Sequence, residues 1–401
     1  MPIHKGKRIA KIILHVFGVL LFVFATSYAL LAAYGYQIDL LHKNIFKTSI
    51  VDLVAIYNDV HVYIDSEEVS DKIPYQIKNI KPGTYTININ SEKFNDWERT
   101  VTVVEDLVTI INDIYLVPKD LKILKVLDKF EFIYDDVIFN GQTIVFINKE
   151  KGLIHKLNVD DSIDVEVKTI NLLNKIKYEK VYAVGDRYIV FDNGAEINLF
   201  DLSSDIFTEI IVPDEFMDFK IGYSSGIKGF YLNGGALFSV DINENGIFDG
   251  ITLVSELPST EYIEVYSDGG FIFIETNDGL YEYKDNVLEL ICSDFYMGPY
   301  VSPYGNQAIY VSTGGEIYTY SFELKESYLI GRFAEQIDYI EWFFDGKHIL
   351  LSQGGKVLLC DLTMDNCPVL NAIGNIFVSQ TKPLIFLITN EGIGKIDLSL
   401  I

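Results

Sequence analysis

The sequence predicts an all-β ectodomain, made of a small β-sandwich and a β-propeller of seven blades, behind one N-terminal transmembrane α-helix. Three observations support this fold class. They are an uncharged apolar run near the N-terminus, strands of alternating apolar residues from about residue 50, and a repeat of about 40 residues beyond residue 119. Apolar residues make up 49% of the 401 residues, so a packed core forms readily.

Charge and side-chain chemistry exclude several classes of function. The chain has 32 Lys and Arg against 57 Asp and Glu, a net charge of −25, so it lacks the basic face that nucleic-acid binding needs. The cysteines Cys292, Cys360 and Cys367 have unrelated spacings, which favours buried small side chains over a disulfide scaffold or a zinc site. Motifs for nucleophilic, nucleotide and hydride chemistry are absent. No enzyme activity is therefore predicted.

The apolar run at residues 12–36 predicts a transmembrane helix. It contains 25 residues without a formal charge, and at about 1.5 Å each they exceed the roughly 30 Å hydrocarbon layer. The preceding segment, residues 1–11, is basic and has no acid, so the positive-inside rule places it in the cytoplasm and the later domains outside. The alternative is a cleaved signal peptide at Ser27-Tyr28-Ala29, but signal cores are usually about 7 to 15 residues long.

A short connector, residues 37–49, precedes a predicted β-sandwich at residues 50–118. Val60, Val62 and Ile64 alternate with polar residues, and Pro82-Gly83 is typical of a turn. Residues 61–103 resemble a PEGA domain, with its Val-Tyr-Ile-Asp strand, Pro-Gly-x-Tyr hairpin and aromatic-x-x-Trp segment; Ser66 stands where that family usually has Gly. The resemblance implies a surface-associated module, and a spacer is the alternative.

A glycine-led strand recurs through residues 119–401. The marks are Gly152, Gly194, Gly235, Gly279, Gly315, Gly355 and Gly392, at a mean spacing of 40 residues. This period matches a four-stranded propeller blade, with each glycine in the turn between the two middle strands. The segments 302–310 and 342–351 resemble the turns of TolB-like and WD-repeat propellers.

The last repeat lacks a fourth strand within the sequence. The strand predicted at 121–127 is spare, so we expect it to close the last blade and remove the exposed edges of the ring. Six blades with a capping fragment is the alternative count.

One loop has the spacing of a calcium site. Asp241, Asn243, Asn245 and Asp249 place oxygen atoms at positions 1, 3, 5 and 9 with Gly246 at position 6. Structural calcium is therefore the one cofactor predicted, although Thr252 stands where an EF-hand has a bidentate Glu. The alternative is an Asn-Gly hairpin turn.

Three tyrosines are candidates for a ligand surface: Tyr296, Tyr300 and Tyr304 flank a loop-like Gly-Pro step. The sequence as a whole indicates a single-pass protein of the bacterial cytoplasmic membrane. The membrane contact is residues 12–36, and the propeller is predicted to bind an envelope protein or glycan as a scaffold. Two alternatives are a propeller-based hydrolase or lyase, with His155 or His348 and acids at the channel, and an extracytoplasmic sensor that acts through a partner.

Overall fold

The structure is a computed structural model that describes residues 3–39, 44–127, 134–139, 143–158, 167–171, 177–185, 187–194, 196–223, 226–243, 245–256, 262–370, 375–379, 381–389 and 392–398. The chain divides into two compact units, Met1–Lys119 and Asp120–Ile401. Residues 1–2 of the predicted cytoplasmic tail and Glu244 of the predicted calcium loop lie outside the described residues.

The N-terminal unit begins with helix α1, Ile3–Ala33. Its segment Ile13–Ala33 has the length and apolar composition of a membrane span, and a signal sequence has the same properties. The helix ends three residues before the predicted boundary at residue 36, because Gly35 takes a left-handed conformation with φ 78°. The predicted connector contains a two-stranded sheet formed by β1 (Tyr36–Asp39) and β2 (Asn44–Lys47).

The predicted sandwich is formed by one continuous sheet of five strands around a single core. They are β3 (Ser49–Ile64), β4 (Glu67–Ile80), β5 (Gly83–Asn90), β6 (Trp97–Val103) and β7 (Val108–Ile111), in the order β4-β3-β5-β6 with β7 on β3. The first part of β3 pairs in parallel with β7, and its last part pairs with β5. Trp97 is buried in this core, beneath the Arg99 guanidinium.

The turn between β3 and β4 has an unfavourable residue. Asp65 and Ser66 have φ values of 45° and 75°, the conformation of a type I′ hairpin turn. Because left-handed backbone costs about 1 kcal/mol or more in a residue with a Cβ, we expect Ser66→Gly to raise the free energy of unfolding by about 1 kcal/mol. Urea unfolding measures this. Asp65→Gly is the contrasting variant, because the Asp65 carboxylate accepts the Thr86 N–H at 2.9 Å; a lower midpoint for Ser66→Gly contradicts the prediction.

The second unit contains seven sheets within its described ranges, as seven blades would give; the number of blades itself stays a prediction. Six of the sheets have four strands and one has three. Their strands, in chain order, are β8 (Ile123–Leu127), β9 (Asp136–Phe139), β10 (Thr143–Asn148), β11 (Leu153–Asn158), β12 (Val167–Asn171), β13 (Lys180–Val184), β14 (Tyr188–Asp192), β15 (Ile197–Asp201), β16 (Ile206–Ile210), β17 (Met217–Tyr223), β18 (Ile227–Asn233), β19 (Ala236–Ile242), β20 (Phe248–Glu256), β21 (Tyr262–Asp268), β22 (Phe271–Thr276), β23 (Gly279–Lys284), β24 (Val287–Cys292), β25 (Met297–Val301), β26 (Gln307–Val311), β27 (Glu316–Ser321), β28 (Glu326–Arg332), β29 (Ile337–Trp342), β30 (His348–Gln353), β31 (Lys356–Asp361), β32 (Asn375–Val378), β33 (Leu384–Thr389) and β34 (Gly392–Asp397).

The sheets are antiparallel meanders, the arrangement of a β-propeller. Six follow the chain in groups: β9–β12, β13–β16, β17–β20, β21–β24, β25–β28 and β29–β31. The seventh has the order β32-β33-β34-β8, so the strand from the start of the unit pairs with the strand from its end. The seven marking glycines all have positive φ and lie at the turns between the second and third strands. At Gly279 a Cβ would lie 2.1 Å from the Cys292 carbonyl oxygen, so a side chain does not fit there.

Cys360 and Cys367 form a disulfide, so the prediction that they are simply buried thiols is wrong. After β31 the chain turns back on itself, and the Asp361 N–H donates to the Asn366 carbonyl at 3.1 Å. This turn brings the two cysteine Cα atoms to 4.2 Å. Cys292 is a free thiol, and burial raises its pKa to about 11.

Candidate functional site

The first strands of the sheets surround a channel. Strands β9, β13, β17, β21, β25 and β29 lie against one another in succession, which identifies them as the innermost strands of the propeller. Together with β32 they line a cavity of about 970 Å³. Ligand sites in propellers and barrels occupy such openings because many strands contribute side chains there.

The lining of this channel is aromatic and acidic. Its aromatic members are Phe139, Tyr178, Tyr182, Tyr223, Tyr266, Tyr300, Tyr339 and Phe377. Its acidic members are Asp136, Glu179, Glu264, Asp268 and Glu341, and its one basic member among the described residues is Lys180. The channel therefore carries an excess of negative charge beside many aromatic ring faces.

Two of these carboxylates are balanced by lysines. Lys180 Nζ lies 2.6 Å from Glu264 Oε2, and this hydrogen bond raises the lysine pKa. Lys149 Nζ lies 3.1 Å from Asp136, which also accepts the Tyr178 hydroxyl at 2.5 Å. Burial and that hydrogen bond raise the pKa of Tyr178 far above its usual value.

Asp268 and Tyr300 both line the channel, and burial acts strongly on both side chains. The Asp268 carboxylate accepts the Val301 N–H at 2.7 Å, and none of the ion pairs found among the described residues includes it. Burial raises the pKa of Asp268 despite this hydrogen bond. Burial also raises the pKa of Tyr300 to about 12, and the nearby Glu341 and Asp268 add to this effect. A positive group in this region would therefore be stabilised by two carboxylates.

The three tyrosines predicted as a ligand surface do not form one patch. Tyr300 lies on β25 and lines the channel. Tyr296 precedes that strand and its hydroxyl accepts a hydrogen bond from Gln336, whereas Tyr304 lies in the turn beyond the other end and is largely exposed. A ligand function for these residues stays a prediction, and the geometry favours Tyr300.

Sequence reasoning missed Lys180, Glu264, Asp268 and Glu341. The signal that could have found them is the strand before each apolar strand, where Tyr and charged residues recur at alternate positions. Glu264-x-Tyr266-x-Asp268 and Tyr339-x-Glu341 are examples. Alternating polar positions on an innermost strand face the channel.

The predicted calcium loop forms the turn between β19 and β20. Asn243 Oδ1 accepts the N–H groups of Asn245 and Ile247 at 2.9 and 3.1 Å, and Gly246 has φ 74°. Asp241 pairs with Lys228 at 2.6 Å and lies opposite Asp249 in the strand register. These contacts form the alternative hairpin turn, and calcium binding stays a prediction. Among the described residues, no cluster of three or more His, Cys, Asp or Glu side chains forms a metal site.

Thermal unfolding with calcium or with a chelator tests the predicted loop. A ligand that binds only the folded state raises the unfolding midpoint. The calcium hypothesis predicts a rise at millimolar calcium that Asp241→Asn abolishes. An equal midpoint in calcium and chelator contradicts the hypothesis and leaves the hairpin interpretation.

The two histidines of the hydrolase hypothesis do not line the described channel. His155 lies on β11, where its Nδ1 is 2.9 Å from Thr169 Oγ1. His348 begins β30 and its Nδ1 is 2.6 Å from Asp345 Oδ2. The hydrolase hypothesis predicts that these histidines converge on the channel, and the structure does not place them there.

Comparison with protein families identifies the sandwich. Residues 54–114 match the PEGA domain. A comparison with curated proteins gave no match. Among solved structures, the chain is similar to the β-propeller domain of Cps50 (Swd1) from Myceliophteria thermophila, with 11% identity, a TM-score of 0.47, and coverage of 69% of this chain and 98% of that one. It is also similar to virginiamycin B lyase from Staphylococcus aureus, with 12% identity, a TM-score of 0.47, and coverage of 69% and 99%.

Proposed function

We propose that this protein is a membrane-anchored extracytoplasmic binding protein of the bacterial cell envelope whose propeller channel holds a basic segment of a partner protein. The observation that carries the proposal is the channel lining, in which carboxylates adjoin tyrosine rings. Lys and Arg side chains bind to this combination, because carboxylates accept charge-assisted hydrogen bonds and ring faces attract cations.

The charge of the whole exported part favours a basic partner. Beyond residue 36 the chain has 28 basic and 57 acidic residues, a net charge of −29. Such a surface attracts basic proteins and repels anionic polymers. A neutral glycan would use the aromatic rings, but it would gain no charge-assisted hydrogen bonds from the carboxylates of the channel.

The disulfide and the N-terminal helix support the location. Disulfides such as Cys360–Cys367 persist in oxidising compartments and are rare in the cytosol. A helix of this apolar length behind a basic segment favours a cytoplasmic N-terminus and an external propeller.

Peptide binding to the full chain in lipid nanodiscs tests the proposal. We expect a fluorescent Arg- and Lys-rich decapeptide to bind in fluorescence anisotropy, and an acidic decapeptide and a neutral oligosaccharide not to bind. Asp268→Asn should weaken the basic peptide about tenfold, because a charged hydrogen bond contributes about 1.5 kcal/mol or more. The Asp268→Asn substitution keeps the shape of the side chain and retains an oxygen atom that accepts the Val301 N–H.

A matched variant distinguishes binding in the channel from attraction to the general surface charge. Glu326→Gln removes one negative charge from the outermost strand β28, where Glu326 is exposed. We expect it to change the affinity by much less than Asp268→Asn. Equal weakening by the two variants, or equal binding of basic and acidic peptides, would contradict the channel as the site.

A further inference from the structure

Hydrogen bonds connect one loop of the sandwich to the end of helix α1. The Gly35 carbonyl accepts the Thr48 N–H at 2.8 Å and the Thr48 hydroxyl at 3.0 Å. The next residue, Ser49, donates its hydroxyl to the Val104 carbonyl at 2.5 Å. The Ile50 N–H donates to the Leu107 carbonyl at 3.2 Å. Residues Val104–Leu107, called the 104–107 loop below, therefore lie beside the C-terminal end of the helix.

The 104–107 loop exposes apolar side chains. Val104 is 51% exposed and Leu107 is 57% exposed, and Ile45 on the adjoining hairpin is 60% exposed. The two acids of the loop contact one lysine: the Lys47 N–H donates to Glu105 at 3.0 Å, and Lys47 Nζ lies 2.5 Å from Asp106. The loop thus has a partly neutralised charge within a strongly acidic exported region.

With α1 across a bilayer, as proposed above, the helix length places this loop at the membrane surface. The 21 residues of Ile13–Ala33 span about 31 Å at 1.5 Å each, close to the roughly 30 Å hydrocarbon layer. The helix end is then at the outer edge of that layer, and Tyr34 and Tyr36 lie in the interfacial belt where aromatic side chains are enriched. Side chains fixed to the helix end lie at the same depth.

We propose that the 104–107 loop is a second membrane contact, in which Val104 and Leu107 enter the interface of the bilayer that α1 crosses. The proposal rests on the membrane anchoring in the proposed function. Apolar side chains gain free energy when they leave water for this interface, and a peripheral contact of this kind adds to an existing anchor. It fixes the sandwich to the bilayer surface, whereas a contact by the helix alone would leave the sandwich free to tilt.

Fluorescence quenching in vesicles tests the contact. The full chain carrying Leu107→Trp is placed in phosphatidylcholine vesicles with brominated acyl chains, which quench only nearby indoles. The native Trp97 and Trp342 are buried at 2% and 1% exposure, so the unsubstituted chain gives the background. We expect the added emission to fall at least twofold relative to vesicles without bromine. Val104→Trp is a second probe of the same loop.

Ile56→Trp is the matched control. Ile56 is 85% exposed on the same sandwich, and it lies six residues beyond Ile50 along β3, about 20 Å at 3.3 Å per residue. We expect no quenching there. Flotation of the same vesicles measures anchoring separately. Unquenched Leu107→Trp and Val104→Trp in protein that floats would overturn the loop contact alone, whereas protein that does not float would overturn the anchor as well.

Discussion

Lys325→Met is expected to lower the free energy of unfolding of the propeller by about 3 kcal/mol, because it leaves a buried carboxylate without its cation. Glu282, on β23, is 1% exposed, and Lys325 Nζ lies 2.7 Å from its Oε2 and 2.9 Å from Glu289. The Tyr320 hydroxyl donates to the same Glu282 oxygen at 3.1 Å and cannot neutralise it. The expected loss lies at the lower end of the range for breaking a buried ion pair, because the Lys325 side chain is 35% exposed.

The pKa of Lys325 determines the upper end of the pH range in which this effect is expected. Burial opposes its charge, but hydrogen bonds to Glu282 and Glu289 outweigh burial and raise the pKa of Lys325 above its usual value. A group with a raised pKa stabilises the fold fully below its unfolded-state pKa and loses that contribution as the pH rises through the folded-state pKa. The full effect of Lys325→Met is therefore expected at neutral pH, with a smaller difference in strong alkali.

Urea unfolding followed by Trp342 fluorescence, in a Trp97→Phe background, measures the loss in the propeller. Arg332→Met is the matched control: Arg332 is 68% exposed and lies 2.7 Å from Glu316, and exposed pairs contribute little. Glu282→Gln added to Lys325→Met should restore part of the stability, because the amide carries no charge. Equal effects of Lys325→Met and Arg332→Met would show that Glu282 is not held by the lysine.

The second large effect is expected at the disulfide. Cys360→Ser together with Cys367→Ser should lower the free energy of unfolding by about 2.5 kcal/mol, the loop-closure value for a separation of seven residues. The bridge holds the segment after β31, where the sheet has three strands and the following chain adds one isolated bridge, Leu358 to Val369. Differential scanning calorimetry with and without a reductant measures the same loss in the unsubstituted chain.

Cys292→Ser is the control for the disulfide experiment. It removes the free, half-buried thiol and leaves the bridge intact. We expect the reductant to lower the unfolding midpoint of Cys292→Ser and of the unsubstituted chain equally, and to leave the double serine variant unchanged. A midpoint insensitive to reductant in all three proteins would contradict a stabilising bridge.

Two confirmed predictions depend on local backbone chemistry. All seven marking glycines have the positive φ that a tight turn requires, and the resulting sheets give the predicted propeller fold. The PEGA resemblance is confirmed over residues 54–114. In both cases a turn residue and an alternating strand specify a hairpin without reference to distant parts of the chain.

Three other features could not be predicted in the same way. The channel brings Asp136 together with Glu341, more than 200 residues later, through the order of the sheets rather than through any motif. The Cys360–Cys367 bridge depends on the turn that follows β31, and a spacing of seven has no characteristic pairing. An apolar run locates a candidate membrane-spanning helix but not its last residue, and here the helix ends just before Gly35, which has a positive φ.

The pairing of β8 with β34 has a mechanical consequence. Strand β8 is the first strand after the sandwich, so in the anchored binding protein proposed above, tension between the membrane and a bound partner would enter the propeller through it. Its residue Ile123 pairs with Ile396 and covers Gly394, at the end of the ladder nearest the tether. Force would peel this ladder one pair at a time from Ile123, and rupture would open the whole ring. Under the proposed anchoring, the hydrogen bonds between β8 and β34 would therefore be the first in the propeller to bear this load, before those within the other blades.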